Sequence, residues 1–169
     1  AMVDMFRLRS EIIVLDRPTI VQASIRDYLR LAGPETTSAD ALRALALVRL
    51  EDRVMRLPDG LDTQLSTSGW PLSYAESLRL KLAGAMLKCP RLLILTGLFD
   101  MIDGAILADV RKAMRDQGST VIQFSYRPDV QADCRYLWLG GDGQRIIDDP
   151  GEFLDITRRR AEEVRHDNA

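Results

Sequence analysis

The chain is poor in the residues that build metal and disulfide chemistry. It has two cysteines, Cys89 and Cys134, 45 positions apart, and one histidine, His166, four residues from the end. Two cysteines cannot make a disulfide framework or a four-cysteine zinc site. The single terminal histidine excludes a histidine-rich metal centre and leaves no Ser-His-Asp triad to expect. Basic residues are not in surplus: 23 Lys+Arg face 25 Asp+Glu, a formal net charge of −2. A duplex-binding protein carries a basic excess, so no nucleic-acid partner is expected. No apolar run approaches 18 residues, so no segment reads as a bilayer span. Arg7, Arg9 and Glu11 interrupt the only early apolar stretch, so no secretory signal is expected either. Ala1-Met2 reads as a tag scar ahead of a chosen start, which makes an excised piece of a longer protein the expectation.

What is present is ordinary globular material. The 169 residues are 46% hydrophobic and 28% charged, enough to bury roughly 70% of the extended-chain surface in one core. Glu11-Ile12-Ile13-Val14-Leu15 is a β-branched run closed by Asp16-Arg17-Pro18 and predicts a buried strand. Ile25, Tyr28, Leu29 and Leu31 predict a short helix broken by Gly33-Pro34, and Ser38 is the expected cap of a helix to about Arg49. Ser73 and Glu76 have capping-box spacing and open a helix that runs to Lys88 before Pro90. Leu92–Leu95 predicts a strand buried on both faces. Asp103 caps a helix to Gln117, with Gly118 as its left-handed stop. Strands follow at Thr120–Phe124, Arg135–Leu139 and Gln144–Ile147, the last two joined as a hairpin by Gly140-Gly141-Asp142-Gly143, and a charged helix from about Pro150 to Arg165 ends the chain. Strands alternating with helices predict an α/β layer with a mostly parallel sheet.

Seven segments add a recognisable order. They are Ser24-Ile25-Arg26-Asp27-Tyr28, then Leu57 to Thr63 (LPDGLDT), then Gly69 to Glu76 (GWPLSYAE). Arg79, Leu80, Ala83, Ala85 and Pro90 follow, then Leu92 to Asp103 (LLILTGLFDMID) and Thr120 to Arg127. Ala132-Asp133, the hairpin and Phe153-Leu154 close the series. Together they resemble the ATP-binding domain of ABC transporters, exporter type, over about residues 8 to 154. The family patterns they match are S/T-I-R-E/D-N, LP-x-G-x-D-T, G-x-x-LSGGQ, RxxLARALLxxP, LLLLDEPTSALD and TVIxITHR. The resemblance implies a partial P-loop NTPase (RecA-like) core from residues 1–23 and 92–169, with an ABC-type helical subdomain at 24–91 carrying a degenerate signature.

Hydrolysis of ATP needs a phosphate cradle, a metal ligand, a base and a γ-phosphate sensor. No G-x-x-x-x-G-K-[S/T] occurs in the chain, and family order places that P-loop before residue 1. The resemblance puts Thr96 where the family has the aspartate that holds Mg²⁺ through water, and Gly97 where it has the catalytic glutamate. Losing a general base alone costs roughly 10²–10⁴-fold in rate. Tyr126 stands at the sensor histidine and Asp16 at the glutamine-loop glutamine. In the signature Ser73 remains, but Tyr74 and Ala75 replace glycines and Glu76 replaces glutamine, so Ser73, Tyr74, Ala75 and Glu76 form at most a weak nucleotide-facing surface. ATP and Mg²⁺ are thus implied by the family only, and the chain alone is expected to be inactive.

Plainer readings stand beside these. Ser73-x-x-Glu76 reads first as a helix cap, Asp103 as a cap and Asp100 as a solvated turn residue. Tyr126 is expected to pack with its hydroxyl wet, Cys89 and Cys134 to sit in the core, and Arg158-Arg159-Arg160 to lie on a solvated helix face. The resemblance further implies a membrane-spanning domain and a second ATP-binding domain as partners. It likewise implies a location on the cytoplasmic side of the cell membrane as part of a larger protein, with the fragment itself expected to be soluble. Without the P-loop strand the pieces at 12–15, 92–96 and 120–124 still pair side by side, while the hairpin loses its neighbour. A shift of the hairpin, sheet pairing in a homodimer, or strand exchange would close the open edge. The alternative to an export component is a non-transport interaction or regulatory module that kept the fold.

Overall fold

The computed structural model describes residues 10–126, 134–140 and 143–167. The chain divides at Ser125/Tyr126 into two compact units. In the first, β1 (Ile12–Leu15) leads to α1 (Ile25–Ala32), α2 (Ser38–Leu47), α3 (Glu51–Met55), a 3-10 turn (Gly60–Asp62) and α4 (Tyr74–Lys88). Then come β2 (Leu92–Leu95), a 3-10 turn (Gly97–Met101), α5 (Gly104–Asp116) and β3 (Thr120–Gln123). The three strands form one parallel sheet in the order β1-β2-β3, with Ile13, Leu93 and Val121 in register. This is the mixed α/β fold and the strand order that the sequence predicts.

Register decides which side chains share a face. Leu93, Leu95 and their row mates Ile13, Leu15 and Val121 turn toward the core, and Leu93 and Leu95 are fully buried. The opposite row, Val14, Ile94 and Ile122, leaves Val14 50% and Ile122 44% exposed, with Phe124 at 52% just beyond. Burial of β2 on both faces is therefore corrected: Leu92 and Ile94 are only half-buried, while Leu93 and Leu95 on the other face are buried.

Helix α4 is the hub of the core, packed against α1, α2 and α5. It buries Leu78, Leu80, Leu82, Ala83, Ala85 and Met86 on most of its circumference rather than along one stripe. Gly84 faces the Tyr28 ring of α1, and a Cβ there would be in ordinary contact with Tyr28 Cε1 at 3.4 Å. The helix ends at Cys89, in the left-handed conformation (φ 46°, ψ 56°) and exposed, not in the core. Cys134 is half-buried. The cap of α2 is Thr37, not Ser38. Thr37 and Asp40 close a reciprocal box, and Ser38 Oγ instead accepts a hydrogen bond from Arg26 Nη1 at 2.9 Å. Asp103 caps α5 by accepting from the Ala105 N–H at 2.8 Å, and Gly118 (φ 83°) stops it, as expected.

Two motifs quoted separately above meet here. The 24–25 stretch lies antiparallel to 63–64, with Ile25 N–H donating to the Thr63 carbonyl at 3.1 Å. Arg26 then grips Asp62 with both arms, Nε to Oδ1 at 2.7 Å and Nη2 to Oδ2 at 3.1 Å. The ion pair holds the Asp62 carboxyl below the usual carboxylate range.

In the second unit, β4 (Tyr136–Gly140) and β5 (Gly143–Ile147) make an antiparallel hairpin followed by α6 (Pro150–Asp167). Tyr136 stacks on Phe153 with ring centroids 4.4 Å apart. Arg158 and Arg159 are exposed, as a solvated helix face requires. The turn residues Gly141-Asp142 and the Ala132-Asp133 match lie outside the described residues. No helix among the described residues is long and apolar enough to cross a membrane.

Candidate functional site

In an open parallel sheet, ligands are met at the carboxyl ends of the strands. Asp16 follows β1, Thr96 and Gly97 follow β2, and Phe124-Ser125 follow β3. The sheet thus brings Asp16, Thr96 and Gly97 to one edge. Thr96 is drawn inward there: its N–H and its Oγ1 both donate to the Leu15 carbonyl, at 3.3 and 3.2 Å. Its own carbonyl accepts from Phe99 N–H at 3.1 Å, which starts the turn that seats the fully buried Phe99. Gly97 adds no side chain. Asp16 is exposed, its carboxylate 3.8 Å from Arg17 Nε. Asp100 accepts a 2.8 Å hydrogen bond from Ser125 Oγ, which ties the turn after β2 to the exit of β3, so Asp100 is a structural acceptor as well as a turn residue.

These donors do not suit Mg²⁺. A hard dication takes carboxylate oxygens, whereas Thr96 offers a neutral hydroxyl already engaged with a main-chain carbonyl. Among the described residues no three His, Cys, Asp or Glu side chains converge.

Tyr126 begins the second unit and is 93% exposed, which overturns the expectation that it packs at the end of its strand. The strand stops at Gln123, so Tyr126 lies three residues past any ladder that would seat it.

The second cluster is the N-terminus of α4. Ser73 N–H donates to Glu76 Oε2 at 2.8 Å, and Glu76 N–H donates to Ser73 Oγ at 3.2 Å. The capping box forms as the spacing predicts. The other carboxylate oxygen, Oε1, lies 3.3 Å from Arg53 Nε of α3, and Arg53 Nη2 reaches the Pro71 carbonyl at 3.2 Å. Glu76 is therefore folded back on its helix and its charge is met by Arg53. Tyr74 is 40% exposed beside Ala75, and Trp70, before the cis peptide to Pro71, is 72% exposed. Sequence reasoning missed Arg53. Its α3 is five residues long, too short for a periodic signal, and only the i to i+23 contact with Glu76 reveals its part.

No family model matches the chain. Its homologues are ATP-binding and exporter proteins of the ABC transporter family. The cyclolysin secretion/processing ATP-binding protein CyaB of Bordetella pertussis is 31% identical over 128 residues, 74% of this chain and 18% of that protein. The ABC-type transporter kk1G of Curvularia clavata is 29% identical over 152 residues, 88% of this chain and 11% of that protein. The fold is shared with the structure of a bacterial Atm1-family ABC exporter with ATP bound, at a TM-score of 0.64 and 23% identity, covering 74% of this chain and 22% of that one. The chain thus spans less than a fifth of the length of these two relatives.

Proposed function

We propose that the chain is the distal portion of an ABC transporter-like ATP-binding protein whose phosphate chemistry has been lost, serving in a membrane export system. It is unable to hydrolyse ATP alone. The observation that carries this reading is Thr96, at the position the family gives to a metal-holding aspartate, with its hydroxyl committed to the Leu15 carbonyl. Gly97 beside it has nothing to act as a base. Asp16 and Tyr126 complete the degenerate set, and Ser73, Tyr74, Ala75 and Glu76 retain a signature-like surface that a competent partner domain would face. Residues 24–91 serve as the helical subdomain, and a membrane-spanning domain and a second ATP-binding domain are the expected partners. Pairing across a sheet edge would give a homodimer, and among the described residues β3 is an outer strand of its sheet.

Calorimetry with Mg-ATP tests this reading. The isolated chain is expected to give no micromolar isotherm and no phosphate release above a buffer blank. Restoring Thr96→Asp with Gly97→Glu is expected to leave turnover at that baseline, since no P-loop is present. Phosphate release that follows the purified chain through every separation step defeats the proposal.

The exposed Val14, Ile122 and Phe124 favour a second reading, an interaction module without a transport cycle. Association with a membrane-spanning domain in a detergent-solubilised complex decides for the first reading, and a purely soluble assembly for the second.

A further inference from the structure

The chain has three lysines, Lys81, Lys88 and Lys112. Lys88 and Lys112 are exposed on helix surfaces, as lysines usually are. Lys81, in the middle of α4, behaves differently. Its Nζ donates to the main-chain carbonyl of Arg17 and, at 2.9 Å, to that of Thr19. On its own helix the residues three and four positions away are Leu78, Gly84, Ser77 and Ala85, so no carboxylate there competes for the ammonium. Partial burial lowers its pKa, and Asp16, the charged group that faces it, works the other way.

The segment it meets has little else to hold it. Residues 16–19 have no regular structure and are mostly exposed. They run between two anchors: the Leu15 carbonyl, gripped by Thr96, and the Ile20 N–H, which donates to the Thr67 carbonyl at 3.2 Å. We infer that Lys81 is a latch: its ammonium, seated on the Arg17 and Thr19 carbonyls, fastens the exit of β1 to α4. The sheet layer and the helix that carries the Ser73–Glu76 cluster are joined through this segment. The latch therefore fixes where Asp16 stands relative to α4. It rests on geometry alone and is independent of the functional reading above.

Two measurements on the full chain test it. The first needs no variant. Amine acetylation of the native protein at neutral pH, read by peptide mass spectrometry, compares the three lysines. With each rate divided by that lysine's own free-amine fraction, read from the pH profile of its labelling, Lys81 is expected to react about tenfold more slowly than Lys88 and Lys112, the least that hydrogen bonds to a charged group should impose on release. The second is Lys81→Met, which keeps the aliphatic stem and removes the donor. Hydrogen exchange at the Ile20 amide is expected to rise about tenfold, while the Ile25 amide, bonded to the Thr63 carbonyl, is unchanged. Labelling of Lys81 at the rate of the other two lysines overturns the inference. Unchanged exchange at Ile20 in a folded Met variant does the same. Should that variant fail to fold, the native labelling decides alone.

Discussion

Tyr28 makes the sharpest test of the core. Its ring lies between α1 and α4 beside Gly84, and burial pushes its phenol from 10.0 up to about 12. The neutral form is the one the fold accepts, so the sign follows: stability is intact below the unfolded value and is lost as pH rises through the folded value. Two pH units amount to about 2.7 kcal/mol in the limit, and linkage gives about 0.4 kcal/mol at pH 10 and about 1.4 kcal/mol at pH 11. Tyr28→Phe keeps the ring and removes the titration. Other alkaline groups, including Lys81 and both cysteines, are common to the two proteins and cancel in the comparison. Urea unfolding between pH 8 and 11 should show the native protein losing about 1.4 kcal/mol more than the Phe variant. Absorbance at 295 nm should show a late-titrating phenol that the Phe variant lacks. Parallel stability curves, or a late-titrating phenol that persists in the Phe variant, refute the assignment.

Further outcomes follow from contacts. Gly69 has φ +92°, and a Cβ there would lie 2.1 Å from Ser77 Oγ, so Gly69→Ala should lower stability by at least about 2 kcal/mol. Gly118→Ala, with φ +83° but open space around it, should cost about 1 kcal/mol, and equal losses in thermal or urea unfolding would show that the clash is relieved. Phe99→Ala removes a fully buried ring below the turn after β2 and should cost about 3–5 kcal/mol by the same assay. The Asp62 carboxyl is depressed by Arg26, so its contribution is present above the unfolded carboxylate pKa and is lost as pH falls through the folded one. Asp62→Asn should flatten the acid limb of the stability curve, and an unchanged limb would show the pair to be idle in solution.

Local chemistry was legible where it closes on itself within a few residues. Ser73 with Glu76 and Asp103 with Ala105 are set by spacing alone, and both caps form. The order β1-β2-β3 was legible from the resemblance together with three short apolar runs, because consecutive parallel strands have few ways to pair. Burial was not. Leu92-Leu93-Ile94-Leu95 reads as doubly covered, yet whether its second face is covered depends on which layers surround it, and a strand's own residues do not encode that. The Thr37 cap was missed because Ser38 is an equally good capping residue one step later, and only the reach of Asp40 back to the Thr37 N–H decides between them. Residue type places Cys89 in the core, whereas it is the left-handed residue that closes the helix before Pro90, and that turn faces solvent. Arg53 and Lys81 act across 23 and more than 60 positions, beyond any local pattern.

The two clusters share a logic that bears on reversibility. At each, the side chain in the position of interest is spent on the fold. Thr96 joins β2 to β1 through the Leu15 carbonyl, and Glu76 joins α4 to α3 through Arg53 while closing its own cap. Thr96→Asp would remove one of the two donors on the Leu15 carbonyl, leaving it the residue-96 N–H, and would set a carboxylate near that oxygen, an exchange that costs about 0.5–1.5 kcal/mol. Glu76→Gln is gentler, since an amide oxygen can still cap the Ser73 N–H, but it gives up the charge on Arg53. A carboxylate at position 96 therefore works against the stability of the sheet edge, whereas a glutamine at position 76 costs little. If phosphate chemistry has been lost here, Thr96 is the substitution that the structure makes hard to reverse.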